Sequence, residues 1–222
     1  MSVDRRTLNR LATRQKISNV ATRLFLEKGF EQVTIDEIAT AAEVGRMTVF
    51  NHFPRKEEMF FDREEEGLQM LRRALSQRDK NTGPLEALRR FAHHLVEQNS
   101  PVVAFSVAGQ GFVSTIEHSP ALKARAREIR DEFAQALAHE LAAGAGLEKS
   151  DPHTQLAAGL VLATWSAALI QAHRTFSQTL SNAAAAAVFL DLIDRGTVGV
   201  IAAMNGTVYG EKITVSGHCR LS

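Results

Sequence analysis

The sequence predicts an all-α protein: an N-terminal three-helix helix-turn-helix domain and a larger C-terminal helical domain. Three observations carry this. Apolar residues recur at spacings of three and four along most of the 222 residues. Three of the five prolines follow a capping Ser or Asp at the head of such a run, and none falls in the middle of one. Strand-like alternation is confined to the tail, around Val208 to Val215. The expected boundaries are 1–56 for the first domain, 57–204 for the second, and 205–222 for an irregular or flexible tail.

The first apolar run is Ile17, Val20, Ala21, Leu24 and Phe25. Lys28-Gly29-Phe30 stops it, because Gly29 tolerates a left-handed C′ position and Phe30 folds back onto the helix. Thr34 and Glu37 then make a capping box for a short helix over 35–42, with Ile35, Ile38, Ala39 and Ala42 on its inner face. The turn Glu43-Val44-Gly45 leads to a third short helix over 46–53, with Val49 and Phe53 inward. A long fourth helix is expected from about Arg55 to Ser76. Leu85, Leu88, Phe91, Ala92 and Leu95 mark the next. Ser100-Pro101, Ser119-Pro120 and Asp151-Pro152 each read as a capped helix start with proline at the first position. Glycines at 109–111 and 144–146 read as loops or helix ends. The segments Pro120 to Ala143, Asp151 to Arg174 and Ala183 to Met204 complete about nine helices. The last two carry little charge on any face, so they should be buried in their own domain or against a second copy. The tail could be a hairpin about Gly210-Glu211, a disordered end or a swapped arm.

Composition excludes more than it names. Lys+Arg 26 against Asp+Glu 25 gives a net charge of +1, so bulk charge identifies no partner. A single cysteine, Cys219, permits neither an internal disulfide nor a cysteine-rich zinc cage. No secretory signal is visible, and the most apolar run, Leu156 to Ile170, is short for a membrane span. The expectation is a cytosolic protein. No G-x-S-x-G, Walker loop, HExxH or dinucleotide fingerprint occurs, so no enzyme is expected. His93 and Glu97 share a helix face, but two ligands are too few for a specific ion. They read as a solvated pair, with no metal and no cofactor assigned.

The specific signal lies before residue 60. Two short helices joined by a three-residue turn, with small Ala42 at their crossing, form a helix-turn-helix pattern. The second would leave Arg46, Met47, Thr48, Phe50, Asn51 and His52 largely outward. Arginine pairs with guanine, asparagine with adenine, and Thr or Met can touch a thymine methyl. Residues 1–28 hold seven basic residues against two acidic ones, and an acidic run begins at Glu57. That separation suits one face on phosphates and the rest held away from them.

The order of features from Arg14 to Phe60 resembles the N-terminal domain of the TetR family of transcriptional regulators: an amphipathic helix, GF, T-I-x-E-I-A, A-x-V, T-V-F-N-H-F, then P-x-K-E-E. The resemblance covers about a quarter of the chain. It implies base-facing roles for Arg46, Met47, Thr48 and Asn51, and phosphate contacts for Thr34, His52 and Lys56. Arg14 reaches phosphate or minor groove, or is simply solvated. Three departures matter. Glu43 stands where the family has glycine, at a cost on the order of 1 kcal/mol if the position is left-handed. Gly45 replaces a serine cap. Phe50 replaces a tyrosine, so packing on sugar or a thymine methyl replaces one phosphate bond.

The resemblance further implies a C-terminal domain that dimerises and encloses an effector. Candidate lining residues are Phe91, Leu95, Phe105, Phe112, Ile116, Trp165, Leu169 and His173. Apolar residues at this spacing also read as plain core. Trp165 and His173 each carry a polar handle that a ligand or a backbone carbonyl could satisfy. The expected partners are double-stranded operator DNA, a second copy of the chain, and a small apolar or amphipathic effector, with no membrane. The implied function is a repressor released by that effector. A ligand-independent regulator or activator, or a helical small-molecule-binding protein without DNA function, remains the alternative.

Overall fold

The structure, a computed structural model, describes residues 4–210. Ten α-helices are found among them: α1 (Arg5–Lys28), α2 (Ile35–Ala41), α3 (Arg46–His52), α4 (Glu57–Phe60), α5 (Glu64–Ser76), α6 (Pro84–Glu97), α7 (Val107–His118), α8 (Pro120–Ala145), α9 (Pro152–Thr179) and α10 (Asn182–Ala203). No strand occurs among the described residues. The chain divides into two compact units. One comprises residues up to 65 together with 111–129, the other 66–110 together with the residues from 130 onward.

In the first unit, α1 supplies Ile17, Ala21, Leu24 and Phe25 to a core completed by Phe30, Val33, Ile38, Val49, Phe53, Met59, Phe60 and Leu122. Gly29 closes α1 at φ 88, with its N–H donating to the Phe25 carbonyl, and Phe30 packs back on Phe25 at 4.8 Å. The capping box forms in full: Glu37 N–H donates to Thr34 Oγ1, and the Thr34 N–H donates to the Glu37 carboxylate at 2.8 Å.

The expected single helix from 55 to 76 is instead two helices, α4 and α5, separated by a bend at 61–63. The reason is aromatic. Phe60 stacks on Phe112 at 4.2 Å and Phe61 meets the same ring edge-on at 6.0 Å. A continuous helix would point consecutive side chains about 100° apart, away from one shared partner.

In the second unit, α9 packs lengthwise on α10, and α6 packs on α10. One cluster joins Leu71, Leu85, Leu88, Leu137, Leu141, Val161 and Met204. The other joins Leu95, Phe105, Phe176, Phe189 and Ile193. Asp151 caps α9, accepting from the Thr154 N–H at 2.7 Å. At 28 residues α9 extends well beyond the apolar run marked in the sequence, and by length and composition it could cross a membrane. Its Ala157, Ala158, Val161, Ala168, Ala172 and Phe176 are nevertheless buried within the unit.

Other expectations are corrected. Ser100-Pro101 opens only a three-residue 3-10 turn, Pro101–Val103, because Ala104 is extended and the next helix waits until Val107. Gly109 and Gly111 lie inside α7. A Cβ at Gly109 would sit 2.9 Å from the Ala104 carbonyl oxygen, so close approach rather than a loop explains that glycine. Gly144 falls in the last turn of α8, and Gly146 follows it at φ 67. Residues 204–210 are turns rather than a strand, and Tyr209 is buried with its hydroxyl 2.7 Å from Thr154 Oγ1. The remainder of the tail, 211–222, lies outside the described residues, with the proposed hairpin and Cys219.

Candidate nucleic-acid interface

Two local devices set the angle between α2 and α3. Ala42 and Glu43 end α2 with bonds from Glu43 N–H to the Thr40 carbonyl and Val44 N–H to the Ala39 carbonyl, the pairing of a left-handed stop. Glu43 takes φ 54, a left-handed conformation, so the cost foreseen for a non-glycine residue there applies. Lys16 Nζ donates to its carboxylate at 2.6 Å and holds the Glu43 carboxyl below its ordinary range. Gly45 then starts α3 from an extended conformation, φ −72 and ψ 148, its carbonyl accepting from Thr48 and Val49.

On α3, Val49 and the following Phe53 are fully buried, which orients the rest. Arg46, Met47, Phe50 and Asn51 are exposed, and Thr48 and His52 are half-buried. Met47 is 69% exposed. Arg46 Nη1 lies 3.1 Å from Asp36 of α2, with its guanidinium 5.7 Å from the centre of the Phe50 ring. Both members of that ion pair are mostly exposed, so the pair is weak.

Two basic residues expected to reach DNA are turned inward. Arg14 Nη1 donates to the His52 carbonyl, and its guanidinium lies 3.9 Å from the Phe53 ring centre. It therefore clasps the C-terminal end of α3, where the helix has carbonyls without intrahelical partners. Lys56 Nζ donates to the Phe30 carbonyl at 2.5 Å and sits 4.4 Å from the Phe30 ring centre. Burial pushes its pKa down, against the opposing pull of Glu31, Glu57 and Glu37. Thr34 is exposed at the α2 N-terminus, its hydroxyl engaged with Glu37. Sequence reasoning gave no signal for these inward turns, since a basic side chain reads alike whether it reaches out or lies on an aromatic ring.

The effector candidates fall into both units. Phe112 and Ile116 pack against the core of the first unit. In the second unit, Phe91 stacks on Trp165 at 5.9 Å, Trp165 meets Phe189 at 5.8 Å, and Phe105 meets His173 at 5.2 Å. Leu95 and Phe105 are core, and Leu169 is partly buried beside them. A void of about 10 Å³ adjoins Trp165, only about the space one water requires. The larger cleft, about 310 Å³, lies in the first unit, where Phe25, Leu26 and Phe30 face Thr115, His118 and Ser119. None of the eight candidates lines it.

His93 pairs not with Glu97 but with Asp194 of α10, at 2.8 Å, and Arg89 Nη1 reaches the same oxygen at 3.0 Å. Burial pushes the Asp194 carboxyl up, but the His93 and Arg89 bonds outweigh it and hold it below its ordinary range. Among the described residues, no group of three or more His, Cys, Asp or Glu side chains could hold a metal.

The sequence model described as "Bacterial regulatory proteins, tetR family" matches residues 17–62. The chain is 29% identical over 142 residues to the HTH-type transcriptional regulator TcmR of Streptomyces glaucescens, a match spanning 63% of either chain. Its structure is similar to that of native NalD, the secondary repressor of the MexAB-OprM multidrug efflux pump in Pseudomonas aeruginosa, with TM-score 0.55 and 20% identity over 83% of this chain and 96% of that one. It is similar also to Thermus thermophilus FadR, a transcriptional repressor in complex with lauroyl-CoA, with TM-score 0.55 and 19% identity over 94% of this chain and 99% of that one.

Proposed function

We propose that this chain, which its residues 17–62 make a member of the TetR family of bacterial regulatory proteins, is a homodimeric repressor that a small apolar or amphipathic ligand releases from a palindromic operator. The observation that carries the reading is the surface of α3. A seven-residue helix is fixed by a buried Val49 and by a clasp at its C-terminus, and presents Arg46, Met47, Phe50 and Asn51 to solvent. Such a helix fits the major groove, which is wide enough to admit it and carries a distinct pattern for each base pair. Arg46 and Asn51 read base edges, while Met47, Thr48 and Phe50 lie on sugar or thymine methyls. Thr34, Gly45 and His52 face phosphates. Arg14 and Lys56 hold the frame.

Twofold pairing supplies the second α3, with half-site centres about 34 Å apart. The apolar α9 and α10 offer the pairing face: Leu156, Gly159, Ala163, Ala167 and Ile170 form an exposed stripe on α9. The effector enters the aromatic cluster of Phe91, Trp165, Phe105 and His173 by parting its rings, since the void beside Trp165 has room for only about one water. The lauroyl-CoA in the FadR neighbour is a ligand of the amphipathic class this lining would take. A coupling of about 1–3 kcal/mol weakens operator binding about 5- to 150-fold.

Selection of genomic fragments on the purified protein, followed by binding titrations at graded salt, tests the reading. Tight selective binding with a steep salt slope is expected, and Arg46→Ala or Asn51→Ala should lose about 1–3 kcal/mol of discrimination at the bases they read. A strictly monomeric protein that retains no fragment overturns it.

A further inference from the structure

The basic residues of α1 divide by partner. Lys16 pairs with Glu43, Arg23 with Glu27 and Lys28 with Glu37. Arg14 is docked on the His52 carbonyl and the Phe53 ring. Arg5, Arg6 and Arg10 are exposed, and none of them has a carboxylate partner among the described residues. The positive charge left uncompensated in α1 is therefore gathered at its N-terminal end.

That end has no role in the core. The first fully buried residue of α1 is Ile17, so three turns of helix stand before it. A solitary stretch of this kind gains nothing from packing, and its side chains, Leu8 and Leu11 included, face solvent. It is nonetheless placed. Arg14 pins α1 to the C-terminal end of α3, and a helix rises about 6 Å over four residues. Arg10 and Arg6 thus lie about 6 and 12 Å beyond that pin, turned about 40° and 80° around α1 from Arg14. The charge of Arg10 is felt at α3 itself: burial lowers the His52 pKa first, and the Arg10 and Arg14 charges lower it further.

We infer that Arg6 and Arg10 form a phosphate rail beside the recognition helix, gripping the sugar-phosphate backbone of duplex DNA next to each half-site without reading its sequence. The inference rests on the DNA-binding reading above and adds contacts outside the helix-turn-helix. Guanidinium groups suit the task, being always charged and matched to phosphate oxygens. Nothing in the rail faces a base edge, so it adds affinity and salt dependence and leaves selectivity to α3.

The test compares wild type with Arg6→Ala/Arg10→Ala and Arg6→Lys/Arg10→Lys on two probes: a duplex obtained by genomic selection and a random-sequence duplex of the same length. The alanine pair should bind both at least about tenfold more weakly near 0.1 M salt. It should flatten the plot of log affinity against log salt by up to about 1.8 per protomer on both. The lysine pair should recover most of the slope. Thermal unfolding of both variants should match wild type, since neither side chain packs. An unchanged slope in the alanine pair overturns the rail, as does a loss confined to the selected duplex. If wild type binds neither probe, the DNA-binding reading itself fails, a result distinct from these.

Discussion

Removing the Arg14 guanidinium should destabilise the first unit by about 2 kcal/mol and lower operator affinity without changing its salt dependence. A hydrogen bond from a charged donor contributes about 1.5–3 kcal/mol. A guanidinium over an aromatic ring, itself still partly in water as Arg14 is, adds about 0.5–1 kcal/mol. Ordering a long half-buried side chain offsets part of both. The Arg14 bond to the His52 carbonyl and its 3.9 Å approach to Phe53 therefore leave a net of about 2 kcal/mol. In urea, with a slope of about 1–3 kcal/mol/M, Arg14→Ala should move the midpoint of the first unit's transition down by roughly 1 M. The loosened α3 then presents its side chains less well, and affinity falls. No phosphate contact is lost, so the salt slope stays as in wild type. Arg14→Lys separates the two roles. A lysine keeps a phosphate contact but cannot reproduce a planar fork over Phe53, so it should show the stability defect with the same slope. Unchanged unfolding in Arg14→Ala, together with a slope reduced by about 0.9 per protomer, would show that Arg14 faces phosphate and that the clasp reasoning is wrong.

Three further outcomes are expected. Thr34→Ala removes the acceptor for the Glu37 N–H and should cost about 1 kcal/mol in urea denaturation. The Thr34 backbone N–H, then the Lys28 ammonium, hold the Glu37 carboxyl down to about 2 from 4.5. Because the folded pKa is the lower one, its contribution is complete above about 4.5 and is lost as pH falls toward 2. The stability gap between wild type and Glu37→Gln should therefore close across that interval, and a gap that persists at the acid end refutes the assignment. At the α9–α10 crossing, a Cβ on Gly196 would lie 2.2 Å from Thr164 Cγ2. Gly196→Ala should thus be destabilising by about 1–3 kcal/mol despite alanine's better helix propensity, and adding Thr164→Ala should restore part of the loss in thermal melts.

The sequence was most legible where local rules act alone. The capping box of Thr34 and Glu37 and the left-handed Glu43 depend on a few neighbouring residues, and each formed as its chemistry requires. Gly29, by contrast, ends α1 at positive φ but with ψ 146 rather than in the left-handed conformation of a Schellman stop. Legibility failed where a distant partner decides. Phe60 and Phe61 broke an expected helix because both reach Phe112, some fifty residues on in the chain. His93 chose Asp194 over the nearer Glu97, since α6 lies against α10. The effector candidates divide between the two units for a related reason. Phe112 lies in α7 and Phe105 two residues before that helix begins, and both are apolar rings, yet one packs in the first unit and the other in the second. Periodicity identifies an inward face and says nothing of which interior it faces.

The same distinction governs charge. A net charge of +1 over the chain carries no sign of a polyanionic partner. A count over residues 1–28 does better, but it still gives equal weight to cations with different fates. Lys16, Arg23 and Lys28 are each matched by a carboxylate, so they displace few counterions when a phosphate approaches. Arg14 spends its donor on a carbonyl. What remains is a short run of unmatched guanidiniums beside the end of α3. Salt-dependent affinity should therefore follow Arg6 and Arg10 rather than the basic count of the helix. Neutralising Lys16 or Arg23 should leave the salt slope almost where it was, because a cation already paired releases no ions on binding. A slope that fell equally for every basic residue of α1 would mean that the helix acts as a uniform rod of charge, and that the pairing in the structure does not survive contact with DNA.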